Sequence, residues 1–188
     1  LENRYDAVFL GVGANVSANS QIEGEHLSGI YGGNELLEKN LHPDYTGKKV
    51  AIIGGGNVAI DTARVIQRKG AKSVTILYRR AKEQMPAEKK ELKEAVKEGI
   101  HFLFQTNLVK VIGREKVEKI ECIKTALIQK EGEDRLSPVD IAGSNYCLEM
   151  DYVIMAIGSK VDESMIEKCQ LSLNGKGRVK VDQKNQIT

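Results

Sequence analysis

Twelve residues constrain this chain more than any others: Val50-Ala51-Ile52-Ile53-Gly54-Gly55-Gly56-Asn57-Val58-Ala59-Ile60-Asp61. The first four, apolar and mostly β-branched, predict a buried parallel strand; after three glycines the apolar positions resume at helical period. Gly54, Gly56 and Ala59 spell G-x-G-x-x-A, the dinucleotide fingerprint with alanine in its third position. The first glycine permits a tight turn, the second lets a pyrophosphate approach the backbone, and a small third residue lets helix and strand pack closely. Phosphates would then lie over the free N–H groups of a helix starting near Asn57, where the macrodipole favours negative charge. A second predicted strand, Ser73 to Tyr78, completes a βαβ unit and separates this pattern from a merely structural glycine turn.

The end of that second strand selects the nucleotide. A site for NAD usually carries Asp or Glu there, accepting from the ribose 2′-hydroxyl. This chain has Tyr78-Arg79-Arg80. Two guanidiniums attract a 2′-phosphate, and no carboxylate stands beside them in sequence to repel it. The competing reading is a solvated basic turn.

The remaining composition excludes more than it assigns. Lys and Arg nearly balance Asp and Glu, for a formal net charge of +2, which points to neither nucleic acid nor a membrane surface. No apolar run has the length of a membrane span, which needs about 20 residues. Cys122, Cys147 and Cys169 are odd in number and far apart, as in a cytoplasmic protein with reduced thiols, and no metal site is expected from them or from the scattered histidines.

Along the chain, Tyr5 to Leu10 predicts an apolar strand ended by the turn Gly11-Val12-Gly13-Ala14. Ser17 to Gly33 offers glycine turns without periodicity, and Asn34 to Asn40 a short helix with Leu36 and Leu37 inward. The helix after the fingerprint should end at Arg68-Lys69-Gly70. Pro86-Ala87-Glu88 should open another, stopped by Gly99, and Ile100, Phe102 and Phe104 alternate as a third strand. His101 falls on that strand's opposite face with no partner to make it a base. From Val109 to Met150 the period changes to two, with Val109 and Val111 on one face, which predicts an antiparallel meander of about three strands. Tyr152 to Ile157 is the last parallel strand, ended by Gly158; a short amphipathic piece follows around Met165 and Ile166, then a turn at Gly175-Lys176-Gly177. The expected fold is α/β: a Rossmann-like, three-layer domain with a central parallel sheet and an antiparallel meander as its crossover.

Assembled in this order, the chain resembles the NADPH-binding part of FAD-dependent pyridine nucleotide oxidoreductases, above all the small subunit of glutamate synthase. Ferredoxin:NADP oxidoreductases and dihydropyrimidine dehydrogenase are similar. The matching runs are YDAVFLGVGAN at 5 to 15, IIGGGNVAIDTAR at 52 to 64, VTILYRRAKEQMPAE at 74 to 88 and DYVIMAIGS at 151 to 159. The resemblance implies that Gly54, Gly55, Gly56, Asn57 and Val58 meet the pyrophosphate of NADPH and that Arg79 and Arg80 meet its 2′-phosphate. It also implies that Ala156, Ile157 and Gly158 lie towards the nicotinamide. No residue is implied as a catalytic acid or base, and none as a metal ligand. Gly11-Val12 stands where the family has Ala-Thr before its flavin-side turn, so that turn is expected only to end a strand. Thioredoxin reductases share the glycines and the double arginine but carry a C-x-x-C just upstream, and residues 31 to 47 contain no cysteine.

The family's FAD fingerprint and its closing A-G-D run do not occur here, so the expectation is a piece of a larger flavoprotein that binds FAD only in its parent. Residues 1–46 would be the linking strand and connector from an FAD domain, 47–160 the NADPH domain, and 161–188 the start of the return segment. The expected function is passage of hydride from NADPH to FAD. An iron–sulfur or glutamate synthase large subunit would be the partner beyond the FAD domain, with no nucleic acid or membrane involved. The alternatives are a non-catalytic NADP(H)-binding or sensing domain, and the NADPH module of another reductase such as a ferredoxin:NADP oxidoreductase.

Overall fold

The computed structural model describes residues 21–129 and 135–160 throughout, together with 4, 6, 8, 9, 11, 13, 14, 16, 17, 132, 171–174 and 179–182. The chain divides into two compact units, Ser17–Gly158 and a second made of Leu1–Val16 with Ser159–Thr188. Two short strands, β1 (Val16–Ser17) and β11 (Ser159–Lys160), form a two-stranded sheet.

The larger unit is built on five parallel strands: β2 (Ile30–Gly32), β3 (Lys49–Ile53), β4 (Ser73–Tyr78), β5 (His101–Phe104) and β10 (Tyr152–Met155). Their order across the sheet is β2-β10-β3-β4-β5. Helix α1 (Gly33–Lys39) follows β2, α2 (Asn57–Arg68) joins β3 to β4, and α3 (Lys89–Lys97) joins β4 to β5. The return from β5 to β10 is antiparallel: β6 (Thr106–Ile112), β7 (Lys119–Ile128), β8 (Ser137–Asp140) and β9 (Tyr146–Glu149). The long β7 pairs with β6 along one edge, and with β9 and then β8 along the other.

This makes three layers, and the alternation of side chains assigns each residue to one. Val50 and Ile52 of β3, with Ile154 of β10, join Ala59, Ile60, Ala63 and Ile66 of α2 in one buried cluster. Ala51 and Ile53, with Val153 and Met155, pack instead on Leu108, Val111, Ile120 and Cys122 of the meander. A strand covered on both faces has no polar side, which is why β3 reads as an unbroken apolar run. Helices α2 and α3 are cross-tied at their surface, where Arg64 bonds Glu91 and Glu98, and Arg68 bonds Glu98. The two guanidiniums hold the Glu98 carboxyl below the usual carboxylate range.

Several elements depart from the sequence expectations for identifiable reasons. β2 lies within the stretch that showed no periodicity; three residues inserted beside β10 are too few to carry a pattern. Helix α3 begins at Lys89 rather than at Pro86, and a 3₁₀ turn spans Lys82–Gln84 before it. Residues 86 to 88 stay outside the helix: Glu88 is its extended N-cap (φ −61°, ψ 133°), and Ala87 N–H donates to the Gly55 carbonyl (3.1 Å) and Glu88 N–H to Asn57 Oδ1 (3.3 Å). The third strand starts at His101, since Ile100 N–H is drawn back to the Ala95 carbonyl (3.1 Å). The meander has four strands, not three. Val109 does not share the inward face with Val111: the register slips between Leu108 and Lys110, so Leu108 and Val111 are buried while Val109 is 36 % exposed.

The strand expected at Tyr5–Leu10 falls partly outside the described residues; its Asp6, Val8 and Phe9 are described and lie in no strand. The pieces around Met165, Ile166 and Gly175-Lys176-Gly177 lie outside them altogether. Among the described residues no helix is long and apolar enough to cross a membrane.

Candidate functional site

Parallel pairing brings the predicted residues to one edge. Gly32, Met155, Ile53 and Leu77 share a register row across β2, β10, β3 and β4. One residue or two beyond it the chain reaches Ala156, Gly54 and Arg79, all at the carboxyl ends of their strands. The chain leaves β3 outward through β4 and β5 and returns by the meander to β10 on the other side of β3. The direction of winding therefore reverses between β3 and β10, the place where open α/β sheets form their crevice.

The three glycines at this edge do different work. Gly54 has φ +143°, and a Cβ there would sit 2.2 Å from the Ala156 carbonyl oxygen. Its N–H donates to the Leu77 carbonyl (3.0 Å), while Ala156 N–H donates to the Ile53 carbonyl (2.8 Å), so both backbones are fixed. A Cβ on Gly55 would meet the Tyr78 ring at 2.5 Å. Gly56, the N-cap of α2, has ordinary extended dihedrals (φ −87°, ψ 179°), and a Cβ there would meet nothing within 4 Å. No atom of the described residues accounts for glycine at this position, whereas a ligand approaching the backbone would. The N-cap residue of α2 supplies no side-chain cap and no acidic residue occupies its first turn, so the helix sets no anion of its own against the N–H groups and dipole there. Asn57 is exposed and Val58 partly so.

At the next strand end, Tyr78 is buried and its hydroxyl donates to the Gln84 carbonyl at 2.7 Å; Arg135 Nη2 reaches the same oxygen at 3.5 Å. Arg79 is exposed and Arg80 half-buried, with Arg80 Nε enclosed and lacking a hydrogen-bond partner. Among the described residues neither guanidinium belongs to an ion pair. The carbonyls of this bend are tied down, Arg79 O by Thr125 Oγ1 (2.8 Å) and Arg80 O by Gln105 N–H (3.0 Å). On the other side of the glycine turn, Ala156 is half-buried and Ile157 and Gly158 are exposed, with Gly158 at φ +138° and open space where a Cβ would project. An open glycine, a bare helix start and two guanidiniums without an ion pair among the described residues have, along one edge, the donor chemistry a phosphorylated dinucleotide needs.

Other chemistry-bearing residues stand apart from this edge. His101 is exposed on β5. Cys122 is buried in the meander, where burial pushes its thiol up to about 12, so it stays protonated and unreactive at neutral pH. Cys147 is exposed on β9 opposite Glu121, and Cys169 lies outside the described residues. No three of His, Cys, Asp and Glu come together among the described residues as metal ligands would.

The sequence model of the pyridine nucleotide-disulphide oxidoreductase family matches residues 2–188. The chain belongs to this family. Among curated family relatives it is 39% identical over 173 residues to the NADPH-Fe(3+) oxidoreductase subunit beta of Geobacter sulfurreducens, covering 88% of this chain and 26% of that protein. It is 35% identical over 193 residues to the glutamate synthase [NADPH] small chain of Halomonas elongata, covering 96% of this chain and 41% of that one. The chain thus spans less than half the length of these oxidoreductases. Its fold matches that of FprA from Mycobacterium tuberculosis, solved in complex with NADPH, with a TM-score of 0.73 at 23% identity over 84% of this chain and 51% of that one. Thioredoxin reductase from T. acidophilum matches with a TM-score of 0.66 at 20% identity, over 92% and 50% of the two chains. Two features that fix the arginine bend, Thr125 and Gln105, were invisible in the fingerprint because they lie in the crossover, far from Arg79 in sequence.

Proposed function

We propose that this chain is the NADPH-binding module of a flavoprotein oxidoreductase of the glutamate synthase small-chain kind. The observation that carries the reading is the convergence, on one sheet edge, of the open Gly56, the uncapped start of α2, and Arg79 and Arg80, which have no ion-pair partner among the described residues. In this reading the turn from Gly54 to Val58 holds the pyrophosphate, and Arg79 and Arg80 take the 2′-phosphate. The Ala156-Ile157-Gly158 turn borders the nicotinamide. NADPH supplies a hydride when bound; the residues of this chain bind and orient it, and none acts as an acid or base. FAD belongs to the parent protein, with residues 1–46 assigned as the linking strand and connector from its flavin domain and 161–188 as the start of the return to it. Relatives named for different reactions, an NADPH-Fe(3+) oxidoreductase and a glutamate synthase, share this stretch. That supports a common NADPH module whose acceptor, reached through an iron–sulfur or large subunit in the cytoplasm, is chosen elsewhere.

Titration of NADPH and NADH against the wild type and Arg79→Ala/Arg80→Ala tests this. Charge-assisted bonds on an open rim give an expected preference for NADPH of about 10- to 150-fold, shrinking as salt rises. The double variant should lower NADPH affinity towards that for NADH and leave NADH nearly unchanged. Equal affinities in the wild type would reduce the arginines to a solvated strand end.

A further inference from the structure

The arginine bend is held by Thr125 of the meander and by Gln105, which leads into it. Gln105 joins β5 to β6 with φ +47°, a left-handed conformation unfavourable for a residue with a Cβ. It is anchored there by Thr125, whose N–H donates to the Gln105 carbonyl (2.9 Å), and whose own carbonyl accepts from Gln105 Nε2 (3.2 Å). The strained residue turns its N–H onto the Arg80 carbonyl at 3.0 Å, and Thr125 Oγ1 donates to the Arg79 carbonyl at 2.8 Å. Thr125 is 3 % exposed, one of few buried polar residues in the unit. A buried hydroxyl and an unfavourable backbone conformation thus converge on the two carbonyls of Arg79 and Arg80.

We infer that Thr125 and Gln105 form a clamp that positions Arg79 and Arg80 for a 2′-phosphate, making Thr125 a specificity-determining positioning residue 46 positions downstream of the arginine it holds. This rests on the assignment of the arginines to the 2′-phosphate. The clamp never touches the ligand. It fixes the Cα positions from which both side chains reach, and so reduces the conformational freedom lost when they close on the phosphate. It also gives the crossover a second purpose: the meander that covers one face of the sheet also aims the nucleotide-selective residues at its edge.

The test is the NADPH-to-NADH affinity ratio of the 188-residue chain carrying Thr125→Val, Thr125→Ala or Thr125→Ser, with thermal melts beside each titration. Thr125→Val and Thr125→Ala remove the hydroxyl with and without its volume, so one serves if the other does not fold. Loss of one hydrogen bond predicts a fall in the ratio of roughly two- to tenfold in both, with NADH affinity unchanged. Thr125→Ser keeps the hydroxyl and should retain the wild-type ratio. The clamp is refuted if the two hydroxyl-less variants keep that ratio, if they weaken both nucleotides equally, or if serine loses as much as valine. Arg79→Ala/Arg80→Ala separates the two ideas. A wild-type preference that this pair abolishes and Thr125 leaves untouched overturns the clamp alone, whereas no wild-type preference overturns the arginine assignment beneath it.

Discussion

The glycine turn and the arginine bend sit at neighbouring strand ends of one sheet, yet they are built in opposite ways. The turn, though packed against Ala156 and Tyr78, carries its signature in consecutive residues: Gly54 to Gly56 link β3 to α2, and the Gly56 carbonyl accepts from Ala59 and Ile60 N–H to start the helix. The bend has no such local structure. Its carbonyls go to Gln105 and Thr125, and the loop beyond it is pinned through Tyr78 to Gln84. A site whose shape is local can be recognised in a short run of sequence, whereas one held by distant residues shows only its charges.

The sharpest way to break the turn is at Gly54. Alanine there would have to adopt φ near +143°, with its Cβ 2.2 Å from a carbonyl oxygen of β10's end. Neither backbone can give way, because each is bonded into the sheet. Steric conflict with fixed backbone and a forbidden dihedral together should cost more than about 3 kcal/mol. Gly54→Ala is expected to fail to fold or to melt at least about 6 °C lower, as followed by circular dichroism. A normal melt would mean that β3 and β10 are not locked at this edge.

Two residues on, the same substitution should do the reverse. Gly56→Ala places a Cβ in open space at ordinary dihedrals. Its melting temperature should stay within about 2 °C of wild type. Binding of NADPH and NADH should nevertheless weaken together by about tenfold or more, because the added methyl lies where the pyrophosphate approaches. The ratio between the two should not move. Unchanged affinity for both nucleotides would show that this opening is not where the phosphates lie. Measured side by side, Gly54 and Gly56 separate a glycine required by the fold from one available to a ligand, a distinction their spacing in the sequence cannot make.

That distinction also marks how far the sequence could be read. The strand, turn and helix around Gly54 were legible because apolar runs and periods are local properties, and α2 and β4 lie where the pattern put them. The three layers followed from β3 being apolar on both faces. The start of α3 was not legible, since Ala87 and Glu88 ahead of it are bonded to Gly55 and Asn57, some 30 residues back. Nor was the bulge that turns Val109 outward, or the three-residue β2, whose only reason to be a strand is the presence of β10 beside it. At the site, Arg79 and Arg80 announced themselves by charge. Gln105 left only a faint trace, a polar residue between two runs of strand. Thr125 left none, because a threonine in a β-strand is ordinary until its hydroxyl is seen to leave the strand.

Tyr78 is where the two regions meet, and it offers the finest cut between them. Its ring lies against Gly55, which is why no side chain fits there, and its hydroxyl holds the Gln84 carbonyl that closes the loop after the arginines. Tyr78→Phe keeps the ring and deletes the hydroxyl. The Gln84 carbonyl is then left with Arg135 Nη2 at 3.5 Å, at the limit of a hydrogen bond and no substitute for one of 2.7 Å. The expected loss is about 1 kcal/mol, a melting temperature lower by roughly 2 to 4 °C. NADH affinity should not change, since the glycine turn still rests on the ring. NADPH affinity should fall by no more than about twofold, because Thr125 and Gln105 still hold the arginine carbonyls. A larger loss confined to NADPH would shift the control of the bend from the meander to the loop, and an equal loss of both nucleotides would mean that turn and bend move as one piece.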